Sequence, residues 1–193
     1  MKILLAAILT CAGSRWIDFL YKKSSELTFP EEILSRSRFR LPILFLSLAI
    51  LFQATENFWI MAAIFLLALM TITDFEQYML FDVMTLPLAI IGGIFSYQNG
   101  ILTDNLLAAI VGGGVFLLLA IISRGSIGGG DIKLIFALGL WLGGTLFDAV
   151  LYGSIIGGVA GLTMILLKKK DRSSYFAYGP YFTLIAIYFL LKT

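Results

Sequence analysis

The chain has 193 residues, 60% of them hydrophobic and 13% charged, with 14 Lys and Arg against 12 Asp and Glu for a net charge of +2; its mean hydropathy is +0.96. A soluble domain of this size needs a polar shell, so lipid must be the solvent for much of the surface. Histidine is absent and Cys11 is the single cysteine, which excludes a His-based triad, a zinc site built from His or several Cys, and an intrachain disulfide.

In chain order, apolar stretches at about 3–21, 41–55, 58–74, 83–97, 101–122, 131–144, 147–167 and 178–192 predict membrane helices. Most approach the length a helix needs to cross about 30 Å of hydrocarbon. The fold class expected is all-α: a polytopic membrane bundle of about eight (six to eight) transmembrane helices. One integral membrane domain then covers residues 1–193, with N-terminal spans and a basic loop over 1–55 and the remaining spans over 56–193. The first stretch has the Lys2 and apolar run of a signal peptide. No A-x-A site follows it, and Leu9-Thr10 before Cys11 makes a poor lipoprotein site, so it is read as a retained span. The second and sixth stretches are short and are expected to be tilted, re-entrant or partly buried. Pro42, Pro87 and Pro180 fall near predicted helix starts, where the missing N–H costs little.

The basic residues assign sides. Lys22, Lys23, Arg36, Arg38 and Arg40 follow the first stretch, Arg124 the fifth, and Lys168, Lys169, Lys170 and Arg172 the seventh, while the loops near 56–57, 98–100 and 145–146 carry no Lys or Arg. Positive charge favours the cytoplasm, so both termini are expected to face away from it. Arg36, Arg38 and Arg40 read first as this topology signal, with anionic lipid, a partner or substrate as alternatives. Gly153, Gly157 and Gly161 share a helix face, and Gly92–Gly93, Gly112–Gly114 and Gly143–Gly144 are expected to let helices approach in the same way. The segment GSIGGGDIK has neither the ending nor the preceding strand of a nucleotide loop.

Two acids stand out. Asp74 closes the run FWIMAAIFLLALMTIT and Asp131 opens IKLIFALGLWLGG, both on the predicted cytoplasmic side. A carboxylate at membrane depth is costly unless paired or hydrated, which makes it a functional candidate; the plainer reading is a helix-end charge among headgroups. Asp131 follows Gly128-Gly129-Gly130 and begins a helix, where the dipole favours negative charge, whereas Asp74 ends one. Two carboxyls held close in low dielectric share one proton. The ionised one can take a proton from water that attacks a peptide carbonyl, and the protonated one can donate to the carbonyl oxygen. Spacing alone does not show that the two meet.

At these residues the chain resembles the type IV prepilin peptidases. DFEQYMLFDVMTLPLA (74–89) is similar to their first aspartate motif, IGGGDIKLIFALGLWLG (127–143) to their GxGD motif, and YGPYFTL (178–184) to a segment near their C-terminus. The resemblance implies a GxGD-type membrane aspartyl endopeptidase of the bacterial inner membrane, with its active site at the cytoplasmic face. Its partners would be the bilayer and prepilins or pseudopilins of pilus and type II secretion systems, whose basic leaders it removes; nucleic acid is not among them. It places Asp74 and Asp131 at the catalytic positions, and Glu76, Asp82, Gly128, Gly130 and Lys133 at substrate-binding or supporting ones. The peptidase reaction so implied needs no cofactor and no metal.

The chain departs from the family in places. Phe81 replaces the usual Pro before Asp82. GSRWIDFLYK (13–22) and SRSRFRLP (35–42) match more weakly, with Ile17 at an Asn position and Phe39 where the first Cys of a two-CxxC loop would stand. The chain thus reads as a short form without that loop. Many family members also methylate the new N-terminus with S-adenosylmethionine, an activity linked to this region and left open here. A presenilin-type protease would show Tyr before the first Asp, where Thr73 stands. The reading from another class is a non-enzymatic transporter or assembly factor of a pilus or secretion system, since intramembrane acids also relay protons; no internal repeat supports it.

Overall fold

A computed structural model describes residues 1–125, 127–167 and 177–192. Among these residues, eight α-helices of 12 residues or more follow one another without a strand: α1 (Lys2–Lys23), α2 (Arg40–Leu51), α3 (Phe58–Gln77), α4 (Asp82–Gln98), α5 (Leu102–Ile122), α6 (Gly129–Leu142), α7 (Leu146–Leu166) and α8 (Gly179–Leu190). Each falls on one of the predicted stretches, so the fold is an all-α bundle. Among the described residues, five helical tracts are long and apolar enough to cross a membrane, Gly129–Leu166 counting as one of them. The second stretch is longer than expected. Short helical turns at Pro30–Glu32, Ile33–Arg36 and Ser37–Phe39 extend it to a tract over Pro30–Ala54.

Local chemistry sets the ends of these helices. Asn57 caps α3, its Oδ1 accepting from the backbone N–H groups of Trp59 (2.9 Å) and Ile60 (3.4 Å). Tyr78 ends α3 in the left-handed region at φ 53°, donating its N–H to the Asp74 carbonyl at 2.9 Å. Gly143, at φ +53°, breaks α6 from α7. Pro87 is not at a helix start: it lies inside α4, beyond the first turn, where it deprives the Val83 carbonyl of its usual donor.

Helix α6 lies at the centre, packed against α5, α4 and α8, while α3 packs on α8 and α1 on α2. Its residues Leu134, Ile135 and Ala137 to Leu142 are buried, as expected of a short stretch enclosed by the bundle. Trp141 fills the space Gly92 leaves, since a Cβ there would lie 2.6 Å from the indole. The indole N–H donates to the Leu88 carbonyl at 2.9 Å and the ring stacks on Phe95 at 5.1 Å. Gly112 and Gly113 likewise admit Leu146 and Phe136, and Gly153 and Gly157 admit Phe182 and Tyr178. Gly93, Gly114 and Gly144 face open space instead. The outer faces of α5 and α7 expose Leu117, Leu118, Ile121, Ile155, Val159 and Leu162, an apolar surface suited to lipid.

The two ends of the bundle differ. At one, Lys2 donates to the Thr55 carbonyl (2.8 Å) and to Glu56 (2.6 Å). At the other lie the end of α1, the turns 30–39, the end of α3 and the starts of α4, α6 and α8. This alternation follows the sides inferred from Lys and Arg. Lys168, Lys169, Lys170 and Arg172, part of that inference, lie outside the described residues.

Candidate active site

Asp74 sits in the last turn of α3 and Asp131 in the first turn of α6. Both line a cavity of about 610 Å³ shared with Tyr78, Phe116, Leu119, Gly128, Ser154, Tyr178 and Phe182. Both also line an adjoining hollow of about 260 Å³ under Met79, Leu80 and Gly128–Gly130. The pair that spacing could not bring together thus faces one space. Asp74 is only 6% exposed; the Gly179 backbone N–H is directed at its carboxyl, and no side chain among the described residues donates to its buried Oδ2.

Glycines close the walls around the acids. A Cβ on Gly179 would lie 2.7 Å from Asp74 Oδ2 and 3.4 Å from Leu80 Cδ1. A Cβ on Gly130 would meet Leu80 Cβ at 2.9 Å, and one on Gly128 would reach Asp131 Oδ2 at 3.4 Å. Leu80 therefore wedges between the start of α6 and the start of α8, and the three motif segments converge on the two carboxyls. Gly129 meets nothing within 4 Å.

Glu76 faces elsewhere. Two residues along a helix is about 200° of rotation, so Glu76 turns its back on the cavity that Asp74 faces. It accepts from Arg40 Nε (2.9 Å) and Nη2 (2.6 Å) and from the Tyr21 hydroxyl (2.9 Å). Arg40 is 4% exposed and also donates to Asp18 (2.5 Å) and the Ser14 carbonyl (3.3 Å). Beside it, buried Gln77 exchanges hydrogen bonds with the Phe29 backbone (2.8 and 3.1 Å), and Arg36 donates to the Glu76 carbonyl (3.2 Å) while lying 3.6 Å over the Phe29 ring. Of the three arginines read as a topology signal, only Arg38 is exposed.

Asp82 and Lys133 form an exposed ion pair, 2.7 Å to both oxygens, joining the start of α4 to the first turn of α6. They line a separate apolar groove with Thr85, Leu86 and Phe136 rather than the aspartate cavity. Of the predicted residues, then, the structure gathers Asp74, Asp131, Gly128 and Gly130 and sends Glu76, Asp82 and Lys133 to other contacts. It adds Tyr78, Leu80 and Gly179. The Tyr-Gly-Pro-Tyr motif was the available signal for Gly179; nothing in the sequence marks Tyr78 as a left-handed cap.

A model of the type IV leader peptidase family matches residues 60–162, a stretch holding both aspartates. Among curated proteins, the chain is 32% identical over 147 residues to a prepilin leader peptidase/N-methyltransferase of Aeromonas salmonicida (strain A449), covering 70% of this chain and 50% of that one. It is 37% identical over 127 residues to a protein of the same description from Neisseria gonorrhoeae, covering 62% and 43%. To another from Escherichia coli (strain K12) it is 29% identical over 122 residues, covering 60% and 54%. The chain spans about half the length of the curated relatives it matches. No solved structure matches it significantly.

Proposed function

Because the chain belongs to the type IV leader peptidase family, we propose that it is a membrane aspartyl endopeptidase that cuts basic leaders from type IV prepilins or pseudopilins. The site would stand at the cytoplasmic face of the bacterial inner membrane, with Asp74 and Asp131 as its catalytic carboxyls. What supports this most is the meeting of two carboxyls, 57 positions apart in sequence, on one cavity at the end of the bundle where Arg36, Arg38 and Arg40 also lie. The apolar walls Phe116, Leu119 and Phe182 keep the local dielectric low, so only one of the two is expected to be ionised at a time.

In this reading the ionised carboxyl removes a proton from water as it attacks the scissile carbonyl. The other gives its proton to the carbonyl oxygen, and collapse of the resulting diol returns a proton to the leaving amine. The bare Gly128–Gly130 backbone would let the substrate chain lie close to both acids. Polar groups of the N-terminal region that the resemblance links to methylation, Asp18, Arg36 and Arg40, are engaged by one another or by the end of α3, so no step through S-adenosylmethionine is derived.

The test is co-expression with a leader-bearing prepilin. Asp74→Asn and Asp131→Asn should each abolish cleavage while the protein still inserts and unfolds at its usual temperature. Normal cleavage by either variant would refute the reading. Mass spectrometry of the product reads in the same samples whether its N-terminus is also methylated.

A further inference from the structure

The last turn of α3 is held from behind by the N-terminal segment, through contacts that the cavity does not need for its walls. Five hydrogen bonds join the Glu76 and Gln77 side chains to Tyr21, Phe29 and Arg40, and a sixth runs from Arg36 to the Glu76 backbone. Arg40 is the centre of this clamp. Its fork grips both oxygens of Glu76 and its remaining nitrogen ties in Asp18 of α1, a planar bidentate geometry that fixes orientation as well as distance. Both partners of the pair are nearly solvent-free, with side-chain exposures of 2% and 7%.

A buried pair of this kind is weak evidence for stability, since well-packed apolar residues often replace one at no cost. Orientation is where it has effect. Glu76 and Asp74 lie on opposite sides of one helical turn, so the rotation that seats Glu76 in the Arg40 fork also decides where the Asp74 carboxyl points. Beyond the Gly179 backbone N–H, little else holds the Asp74 carboxyl: no side chain among the described residues donates to its Oδ2.

We propose that Arg40 is a positioning residue: by gripping Glu76 it sets the rotation of the last turn of α3 and thereby aims Asp74 into the cavity. The proposal rests on Asp74 being a catalytic carboxyl. It also makes residues 14–40, outside the stretch 60–162 that matches the family, part of the peptidase machinery of this chain.

The test is the full-length double variant Arg40→Met/Glu76→Leu, which removes the pair without stranding a buried charge. Thermal unfolding in detergent and steady-state cleavage of the same prepilin are measured beside wild type and Asp74→Asn. With the unfolding temperature kept, kcat should fall roughly tenfold or more while KM stays within about threefold, as expected when a reacting group is misplaced and substrate affinity is not. Wild-type kcat in the folded double variant, or an effect confined to KM, overturns the proposal. Should the double variant not fold, Glu76→Gln keeps the shape and removes the charge, and the same reading of kcat decides. If Asp74→Asn still cleaves, the peptidase reading itself fails; if Asp74→Asn is inactive and the double variant is not, only the role of Arg40 does.

Discussion

Gly179→Ala offers a sharp perturbation of the aspartate site, because it adds one methyl group and little else. The new Cβ would stand 2.7 Å from Asp74 Oδ2, about 0.7 Å inside the ordinary contact limit of 3.4 Å (3.4 − 2.7). Gly179 is the first residue of α8 and has no positive φ, but it precedes Pro180, whose ring disfavours the helical region for a residue with a Cβ, so the usual gain of roughly 0.5–1 kcal/mol for glycine to alanine in a helix is offset. Overpacking costs about 1–3 kcal/mol where neighbours cannot move, and the neighbour here is a carboxylate that can swing. The net change in stability is therefore expected to be small, within about 2 kcal/mol. The carboxyl, however, must shift by most of an ångström, and a misplacement near 1 Å costs on the order of a hundredfold in rate. Cleavage of a prepilin in membranes should fall between about ten- and a hundredfold, with the thermal unfolding temperature nearly unchanged. Gly93→Ala, on α4 and away from both hollows, is the control, since its Cβ meets nothing within 4 Å, and it should cleave normally. A Gly179→Ala protein as active as wild type would refute the placement of Gly179 against Asp74.

The exposed Asp82–Lys133 pair should matter little to folding: Lys133→Ala is expected to change stability by less than about 1 kcal/mol, read as the shift in thermal unfolding, and a larger effect would mean the pair is buried in the membrane-embedded protein. Trp141→Phe removes the indole donor to Leu88 and part of the ring packed on Gly92. A destabilisation of about 1–3 kcal/mol is expected, and an unchanged unfolding temperature would show that α4 and α6 are not joined there.

The eight helices were legible because each is written as a long apolar run, and a run is a local property. The tract ahead of α2 was not, for a physical reason. Arg36 and Arg40 lower the hydropathy of that segment, yet their charges are met by Glu32, Glu76 and Asp18, so the segment folds against the bundle. Asp74 and Asp131 were legible as acids in the wrong solvent. Their meeting depends on how α3, α6 and α8 pack, which no local pattern carries. Glu76 shows the limit most clearly: two positions from Asp74 in one motif, it points the other way because a helix turns about 100° per residue.

Helix α6 has 14 residues, which at 1.5 Å each is about 21 Å, some 9 Å short of the roughly 30 Å of hydrocarbon in an ordinary bilayer. A helix this short cannot reach both headgroup layers of a flat bilayer, and at its first turn it ends on the cavities that Asp131 lines. In the proposed peptidase, the length of this one central helix would set how far water and a peptide bond must descend from the headgroups to reach the two carboxyls.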